Sequence, residues 1–229
     1  MGVGLSSGSE IISHTIQMCH DSMEARLETL AKAERDELSP ADAAIIEDYM
    51  ADPTVIHSVD IQNAFNRMRR NCVWKELLED RDAHMLVRFF HWSYGVEAGL
   101  YLSDGTLACV SATGLRQGDP LGPLFFALGY MHILRAAAAQ FTRTTFVAFI
   151  DDTYFICARS LGPPILAWLA TKLASTGMFL NRSKSCCLDP SPGAPEGVQE
   201  DGSTVTGDGI KVLGRSVAFG RESPVGQLF

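Results

Sequence analysis

The sequence lacks the short patterns that mark several common kinds of site. Its six cysteines include no Cys-x-x-Cys pair and its six histidines no His-Glu-x-x-His, so no zinc centre is indicated. No Gly-Lys-Ser/Thr occurs either, which argues against a Walker-type nucleotide loop. Internal repeats are also absent from the sequence. Any chemistry must therefore come from other residue types.

Long apolar runs and basic charge are also scarce. The longest apolar stretch, Leu121 to Leu134, is interrupted by glycine, proline and histidine and is too short to span a bilayer, so neither a membrane helix nor a signal peptide is expected. The 19 Lys and Arg residues face 27 Asp and Glu residues, and the net charge of -8 argues against nonspecific nucleic-acid binding by the whole surface. The cysteine pattern is typical of reduced thiols in an intracellular protein.

The remaining composition is that of a globular chain, with 46% apolar and 20% charged residues over 229 positions. Three regions are predicted: a helical lead-in over residues 1–53, a core over 54–189, and a loop with a hairpin over 190–229. In the lead-in, a helix from Ser9 is indicated by apolar residues at three- and four-residue spacing, namely Ile12, Ile16, Cys19, Met23, Leu27 and Leu30. Ser39-Pro40 predicts the start of a second helix.

The first part of the core begins with a strand that delivers a carboxylate. Val55, Ile56 and Val59 lead directly into Asp60. Two helices are predicted beyond it, the second over Ala83 to Tyr94 with four residues directed inward, namely Met85, Leu86, Phe89 and Phe90. Ser103-Asp104-Gly105 then predicts the turn of a β-hairpin.

The segment Phe149-Ile150-Asp151-Asp152 places two adjacent carboxylates between two β-favouring runs. This pattern predicts a hairpin with acid at its tip. Adjacent carboxylates repel each other, and a multivalent cation relieves that repulsion, so a metal site is one interpretation. The other interpretation is a solvated turn, because Asp is a common turn residue.

The segment Gly114 to Pro123 is a loop dense in glycine and proline, followed by a helix to about Ala139. Glycines at a junction between loop and helix let the backbone approach a ligand closely, although a plain connecting loop has the same composition. After the acidic hairpin, Pro163-Pro164 predicts a helix that Gly177 ends.

The last part of the chain predicts three further pieces. Met178 to Leu188 is a strand-like run that contains Asn181 and Lys184. Pro190 to Gly209 is rich in proline, glycine and acid, which predicts a mobile surface loop. Lys211 to Gly214 predicts a final short strand.

Four segments stand in a distinctive order: 60–65, the loop with Gln117-Gly118, 149–152, and 177–184. Together they resemble the palm motifs of reverse transcriptases of non-LTR, LINE-type retrotransposons. The resemblance covers most of the chain, from about Gly2 to Gly214. It implies an α+β fold, in which an antiparallel palm sheet is backed by helices, with fingers and thumb largely missing. It also makes Lys211 to Gly214 similar to the hairpin that grips the primer terminus.

The resemblance implies nucleotidyl transfer assisted by two divalent cations. Asp60, Asp151 and Asp152 are then the catalytic carboxylates, with Asp152 the more peripheral one. The Ile61 carbonyl is a further candidate metal ligand. All-oxygen ligands and a phosphate substrate favour Mg²⁺, with Mn²⁺ as a possible substitute.

The resemblance also assigns four substrate-binding residues. Phe65 is expected to pack under the incoming sugar and exclude a 2′-hydroxyl, with a core phenylalanine as the alternative. Gln117 and Gly118 are expected along the nucleotide and template. Lys184 is expected near the triphosphate, with a solvated surface lysine as the alternative.

The expected partners are an RNA template with a DNA product strand and deoxynucleoside triphosphates, and no membrane. The expected location is a nuclear or cytoplasmic ribonucleoprotein. Two alternatives stay open: a catalytically inactive palm remnant that binds nucleic acid or protein, and an unrelated metal-dependent phosphohydrolase. The second leaves the Gln117-Gly118 loop unexplained.

Overall fold

The protein is represented by a computed structural model that describes residues 8–33, 39–191, 194–213 and 215–218. The helices are α1 Gly8–Ala33, α2 Pro40–Ala51, α3 Ala64–Arg67, α4 Arg70–Glu79, α5 Val87–Tyr94, α6 Gly122–Gln140 and α7 Gly162–Ser175. The strands are β1 Thr54–Val59, β2 Ala98–Tyr101, β3 Leu107–Ser111, β4 Thr145–Phe149, β5 Asp152–Ala158, β6 Cys186–Leu188, β7 Gly197–Val198, β8 Thr204–Thr206, β9 Gly209–Val212 and β10 Arg215–Ala218. Short 3₁₀ turns lie at His84–Leu86, Arg159–Leu161 and Arg182–Lys184.

The main sheet has six strands in the order β4-β5-β1-β6-β8-β7. Every neighbouring pair is antiparallel except β6 and β8, which run parallel. Strands β2 and β3 form a separate hairpin, and β9 and β10 form another. The predicted α+β architecture, an antiparallel sheet backed by helices, is confirmed.

Both faces of the central strands are buried, since successive side chains of a strand point to opposite faces. Val55 and Val59 of β1 pack in a core with residues of α6 and α7, such as Phe126 and Leu169. Ile56, between them, packs in a second core with Ile16 of α1. Burial on both faces agrees with the nearly continuous burial along β1 and β5, which includes polar residues such as His57 and Thr153.

Helix α1 covers one face of the sheet as its sequence pattern predicts. Ile12, Ile16 and Met23 are buried, and Cys19 is partly buried against them. The predicted core side chains of Leu27 and Leu30 lie outside the described ones. Among the helices of the described ranges, none combines the length and apolarity needed to cross a bilayer.

Helix α6 lies on the other face and packs closely on α4. A side chain at Gly129 would place its Cβ 2.7 Å from the Met68 sulfur and 2.9 Å from Val73 Cγ2. Only glycine permits this approach without displacing those neighbours. The close contact fixes α4, and with it the turn after β1, against the core.

The inward direction predicted for Met85 and Phe89 is wrong. Met85 is 82% exposed and Phe89 is 39% exposed, whereas Phe90 and Tyr94 are buried. The predicted single helix is a 3₁₀ turn followed by α5, and the change of helix type shifts which positions face the core.

Two predictions for the last quarter are also wrong. The strand-like run from Met178 is interrupted by the 3₁₀ turn Arg182–Lys184, and only Cys186–Leu188 forms a strand. Residues 190–209 are not a surface loop throughout, because β7 and β8 extend the main sheet beyond β6. Hydrogen bonding to an existing sheet edge outweighs the loop-like composition. Gly214 lies outside the described residues, and β9 and β10 pair on either side of it.

Candidate active site

Asp60 stands at the end of β1, where a neighbouring segment holds its backbone. The Asp60 N–H donates to the Ser185 hydroxyl at 3.2 Å, and its carbonyl accepts from the Asn181 N–H at 2.9 Å. Gln62 donates its N–H to the Phe179 carbonyl at 2.8 Å, and Ile61 forms an isolated antiparallel bridge with Leu180. The position of Asp60 is thus determined by residues more than a hundred positions away in the chain.

Asp151 and Asp152 stand on the hairpin between β4 and β5, as predicted. Phe149 pairs with Asp152, which leaves Ile150 and Asp151 as the two turn residues. Ile150 has a φ of 57°, in the left-handed region that a β-branched residue rarely adopts. Such backbone strain often occurs at functional sites.

The sheet register brings the acids to one edge. Val59 of β1 pairs with Thr153 of β5. Because the two strands are antiparallel, Asp60, which follows Val59, and Asp152, which precedes Thr153, lie beside this pair at the same end of the sheet. Partial desolvation raises the pKa of Asp152, and the negative charges of Asp151 and Asp60 raise it further. The Asp152 carboxylate is therefore close enough to Asp151 and Asp60 for electrostatic repulsion between them.

The edge has the donor chemistry for a hard divalent cation, since it presents three carboxylates. As the side chains stand, the described part of the chain contains no group of three or more His, Cys, Asp or Glu residues that could hold a metal ion. The residue types and the mutual repulsion at Asp152 fit a cation, but binding one requires the carboxylates to turn toward each other.

The hairpin rests on a buried polar contact. The Tyr130 hydroxyl of α6 lies 2.9 Å from the Thr153 hydroxyl, and both side chains are fully buried. Burial raises the pKa of Tyr130 to about 12. The hydrogen bond to Thr153 lowers this pKa, and the negative charge of Asp151 raises it. This contact couples α6 to the strand that carries Asp152.

The loop of residues 114–121 is hydrogen-bonded to the turn that follows β1. The Leu115 N–H donates to the Phe65 carbonyl at 2.7 Å, and the Gly114 N–H to the Met68 carbonyl at 3.2 Å. Gly114 has a φ of 73°, and an added Cβ would lie 2.2 Å from the Asn66 carbonyl oxygen. Glycine is required there for both backbone conformation and space.

Of the four predicted substrate-binding residues, Phe65, Gln117 and Gly118 belong to this junction, and Lys184 lies on the segment that contacts the Asp60 backbone. Gln117 and Gly118 are exposed, and an added Cβ at Gly118 would meet no atom within 4 Å. Phe65 is half-buried and stacks on Phe126 with ring centroids 4.8 Å apart. Lys184 is exposed in the 3₁₀ turn that follows Asn181. Open space at Gly118 fits close approach of a ligand, and the roles of all four residues stay predictions.

A cluster around Tyr94 was missed by the sequence analysis. The guanidinium carbons of Arg70 and Arg116 lie 5.3 and 5.1 Å from the Tyr94 ring centroid. The Tyr94 hydroxyl donates a short hydrogen bond to Asp119, whose other carboxylate oxygen accepts from the Leu121 N–H at 2.9 Å. Burial raises the pKa of Tyr94 to about 12, aided by this bond.

Arg70 anchors the same loop from α4. Its guanidinium donates to the Gly114 carbonyl at 3.0 Å, to the Tyr94 carbonyl at 3.2 Å and to the Ser111 carbonyl at 3.1 Å. Arg116 and Asp119 lie inside the motif loop and could have been singled out from it. Arg70 and Tyr94 carried no signal in the sequence.

Comparison with known proteins identifies the family. The family model described as "Reverse transcriptase (RNA-dependent DNA polymerase)" matches residues 11–216. The chain belongs to the reverse transcriptase family. This confirms the resemblance drawn from the motifs, and members of this family generally use divalent metal ions.

A curated relative points to retrotransposons. The "Retrotransposable element SLACS 132 kDa protein" of Trypanosoma brucei gambiense is 28% identical over 135 residues, which are 57% of this chain and 11% of that protein. The match agrees with the assignment of this reverse transcriptase to non-LTR retrotransposons. The chain spans only about a tenth of that relative's length.

Solved structures of telomerase share the fold. Telomerase from Candida albicans, in complex with a fragment of telomeric RNA, matches with a TM-score of 0.52 and 17% identity over 86% of this chain and 36% of that one. Apo telomerase from Candida tropicalis matches with a TM-score of 0.56 and 10% identity over 88% and 35%. At these identities the likeness shows the reverse transcriptase fold alone.

Proposed function

We propose that this chain is the palm part of an RNA-directed DNA polymerase that extends a primer along an RNA template, using deoxynucleoside triphosphates. The observation that carries the proposal is the meeting of Asp60 with the Asp151-Asp152 hairpin at one edge of the main sheet. The phosphohydrolase alternative is rejected, because the reverse transcriptase family model extends across both acidic segments and the loop at Gln117.

Asp60 and Asp151 would hold Mg²⁺ or Mn²⁺, with the Ile61 carbonyl and Asp152 as further donors. When bound, two such ions would activate the primer 3′-hydroxyl and neutralise the pyrophosphate leaving group. The chain's own part is positioning. The hydrogen bonds of Asn181 and Ser185 to the Asp60 backbone fix the position from which one carboxylate extends, and the Tyr130–Thr153 contact supports the strand that carries another.

The four substrate-binding residues would complete the site. Phe65 would lie against the sugar edge, where its ring excludes a 2′-hydroxyl. Gln117 and the open backbone at Gly118 would lie along the nucleotide and template. Lys184 would place a cation near the triphosphate, since the 179–185 segment that carries it is hydrogen-bonded to the backbone around Asp60.

A templated primer-extension assay tests the proposal. The chain is fused to fingers and thumb from a related element, and is compared with its Asp151→Asn/Asp152→Asn variant in Mg²⁺ and in Mn²⁺. We expect extension by the fusion and its loss in the variant. No extension by a fusion that folds and binds the primer duplex would favour the catalytically inactive remnant.

We also propose an intracellular site of action, in a nuclear or cytoplasmic ribonucleoprotein. The cysteines support it, because all six are free thiols in the structure. Fractionation of cells that express a tagged chain, with RNA co-purified, tests this location. Recovery of the chain in the medium would contradict it.

A further inference from the structure

A pocket of about 330 Å³ lies away from the acidic edge, between the N-terminal part of α7 and the strands β1, β6 and β8. Leu166 and Ala167 of α7 form one wall, and Val205 of β8 lies in another. His57 of β1 and Cys187 of β6 also line it. The catalytic assignments above use none of these five residues.

The charges around the pocket cancel in pairs. Arg159 donates to both carboxylate oxygens of Asp189, at 2.6 and 2.9 Å, and Asp189 is only 2% exposed. Arg182 forms a short ion pair with Asp201. A ligand with a net charge would therefore find no unpaired countercharge on these four residues to offset its desolvation.

His57 adds a neutral polar group. Burial lowers the pKa of His57 to about 4, against the opposing effect of Asp189 and Asp201. The His57 ring stacks on the Phe155 ring, with ring centroids 4.4 Å apart. Its Nε2 lies 3.6 Å from the Cys187 sulfur. An added Cβ at Gly162 would lie 2.5 Å from Nε2, so the backbone of α7 holds the ring in place.

The volume of the pocket limits the size of the molecule that it can hold. An engineered apolar cavity of roughly 150 Å³ accommodates benzene. A pocket of about 330 Å³ is therefore large enough for two fused rings. We propose that this pocket binds a small, uncharged, mostly apolar molecule of bicyclic size that carries one hydrogen-bonding group.

One segment of the chain, residues 182–189, both lines the pocket and contacts the acidic edge. Cys187 follows two residues after Ser185, whose hydroxyl accepts the Asp60 N–H, and Arg182 belongs to the same 3₁₀ turn as Lys184. A molecule bound in the pocket contacts this segment directly. Binding should therefore slow amide exchange over residues 182–189, whatever the catalytic competence of the chain.

Titration with 2-naphthol and with 2-naphthoate tests the proposal, since the two probes share a ring system and differ in charge. Isothermal calorimetry on the full chain should show saturable 2-naphthol binding and at least tenfold weaker binding of 2-naphthoate. Ala167→Phe, at an exposed position of α7, fills the pocket and should weaken 2-naphthol binding at least tenfold. Ala174→Phe, also exposed on α7 but not lining the pocket, should leave the affinity unchanged.

Hydrogen exchange with and without 2-naphthol gives a second measurement that needs no variant. Protection centred on residues 182–189 supports the site, and protection confined to other segments overturns it. The proposal also fails if the folded wild type shows no saturable 2-naphthol binding, if both probes bind equally, or if a folded Ala167→Phe variant binds as the wild type does.

Discussion

Three carboxylates at the edge of the main sheet are the candidate ligands on which the proposed activity depends. Asp152 is exposed, yet partial desolvation and two neighbouring negative charges raise its pKa. Repulsion of this kind weakens the fold slightly and favours any cation that bridges the acids. The same three residues would thus cost stability in the free protein and supply the ligands of the polymerase.

Loss of either bridging carboxylate should weaken Mn²⁺ binding. We expect Asp60→Asn and Asp151→Asn each to lower the affinity at least tenfold, because each removes one anionic ligand from a shared site. Asp104→Asn, at the exposed tip of the β2–β3 hairpin, is the control and should bind as the wild type does. Electron paramagnetic resonance of free Mn²⁺ measures all four. Equal affinity throughout would rule out a shared site.

Phe65 should govern the choice of sugar. Phe65→Val, in the fusion with fingers and thumb, should raise incorporation of ribonucleotides relative to deoxynucleotides, because a smaller side chain removes the clash with a 2′-hydroxyl. Single-nucleotide incorporation with both sugars reports the ratio. An unchanged ratio in a folded variant would return Phe65 to a purely structural role, stacked on Phe126.

His57 should make the fold sensitive to acid. Its pKa of about 4 lies below the usual value near 6.5, so the unfolded chain takes up a proton that the folded chain refuses between those pH values. Its contribution to stability is present above pH 6.5 and is lost as pH falls toward 4. Between pH 7.5 and 4.5 this loss amounts to about 2 kcal/mol.

Urea unfolding of the wild type and of His57→Asn at both pH values isolates that contribution. Other groups titrate in both proteins, so the difference between the two pH dependences reports His57. We expect a shallower dependence in the variant. Identical dependences would show that His57 does not remain neutral in the folded protein.

At the scale of elements, the loop and turn around Gly114 are held together by several contacts. The loop is fixed by two backbone hydrogen bonds to the turn after β1 and by the guanidinium of Arg70. Helix α6 begins directly beyond it, at Gly122. The loop therefore transmits the position of β1 to the helix that supports the acidic hairpin.

Gly114→Ala should destabilise the protein far more than Gly105→Ala. Both glycines have positive φ, which costs an alanine roughly 1–2 kcal/mol. At Gly105 the added Cβ meets open space, whereas at Gly114 it would overlap the backbone of Asn66. We expect a loss of about 1 kcal/mol for Gly105→Ala and of about 3 kcal/mol or more for Gly114→Ala. Chemical denaturation measures both, and similar losses would contradict the close approach.

For the molecule as a whole, the net charge and the share of a polymerase that these residues span bear on the proposed primer extension. The chain spans about a third of the telomerase chains that it matches, and its net charge is -8. A polyanionic substrate is repelled by such a surface, most strongly at low salt, where screening is weak. Holding hydroxyl and phosphate in line can contribute roughly 7–11 kcal/mol to catalysis, and a palm without fingers and thumb would supply only part of that positioning.

The 229 residues alone should therefore extend a primer poorly, in contrast to the fusion with fingers and thumb. A gel assay at matched protein concentration compares the two, with the double aspartate variant of each as control. Robust extension by the isolated chain, dependent on the aspartates, would show that this chain already contains the needed contacts to template and triphosphate.

Local patterns in the sequence sufficed for most elements, and they named the candidate site residues, whose roles stay predictions. Three- and four-residue spacing predicted α1, and β-favouring runs predicted β1 and the acidic hairpin, because these signals lie within the elements themselves. The motif order predicted the family. Failures came where an element depends on distant partners: β8 forms because β6 offers it a paired edge, and Met85 is exposed because a 3₁₀ turn shifts the helical register.

Only the tertiary structure decided how the candidate residues are held. Asp60 is fixed by Asn181 and Ser185, and the loop at Gly114 by Arg70, through contacts between residues far apart in the chain. The pocket beside His57 likewise arises from one helix and three strands. Residue types fix which chemistry is available, whereas hydrogen bonds and packing between distant segments fix where each group stands, and no local pattern encodes that.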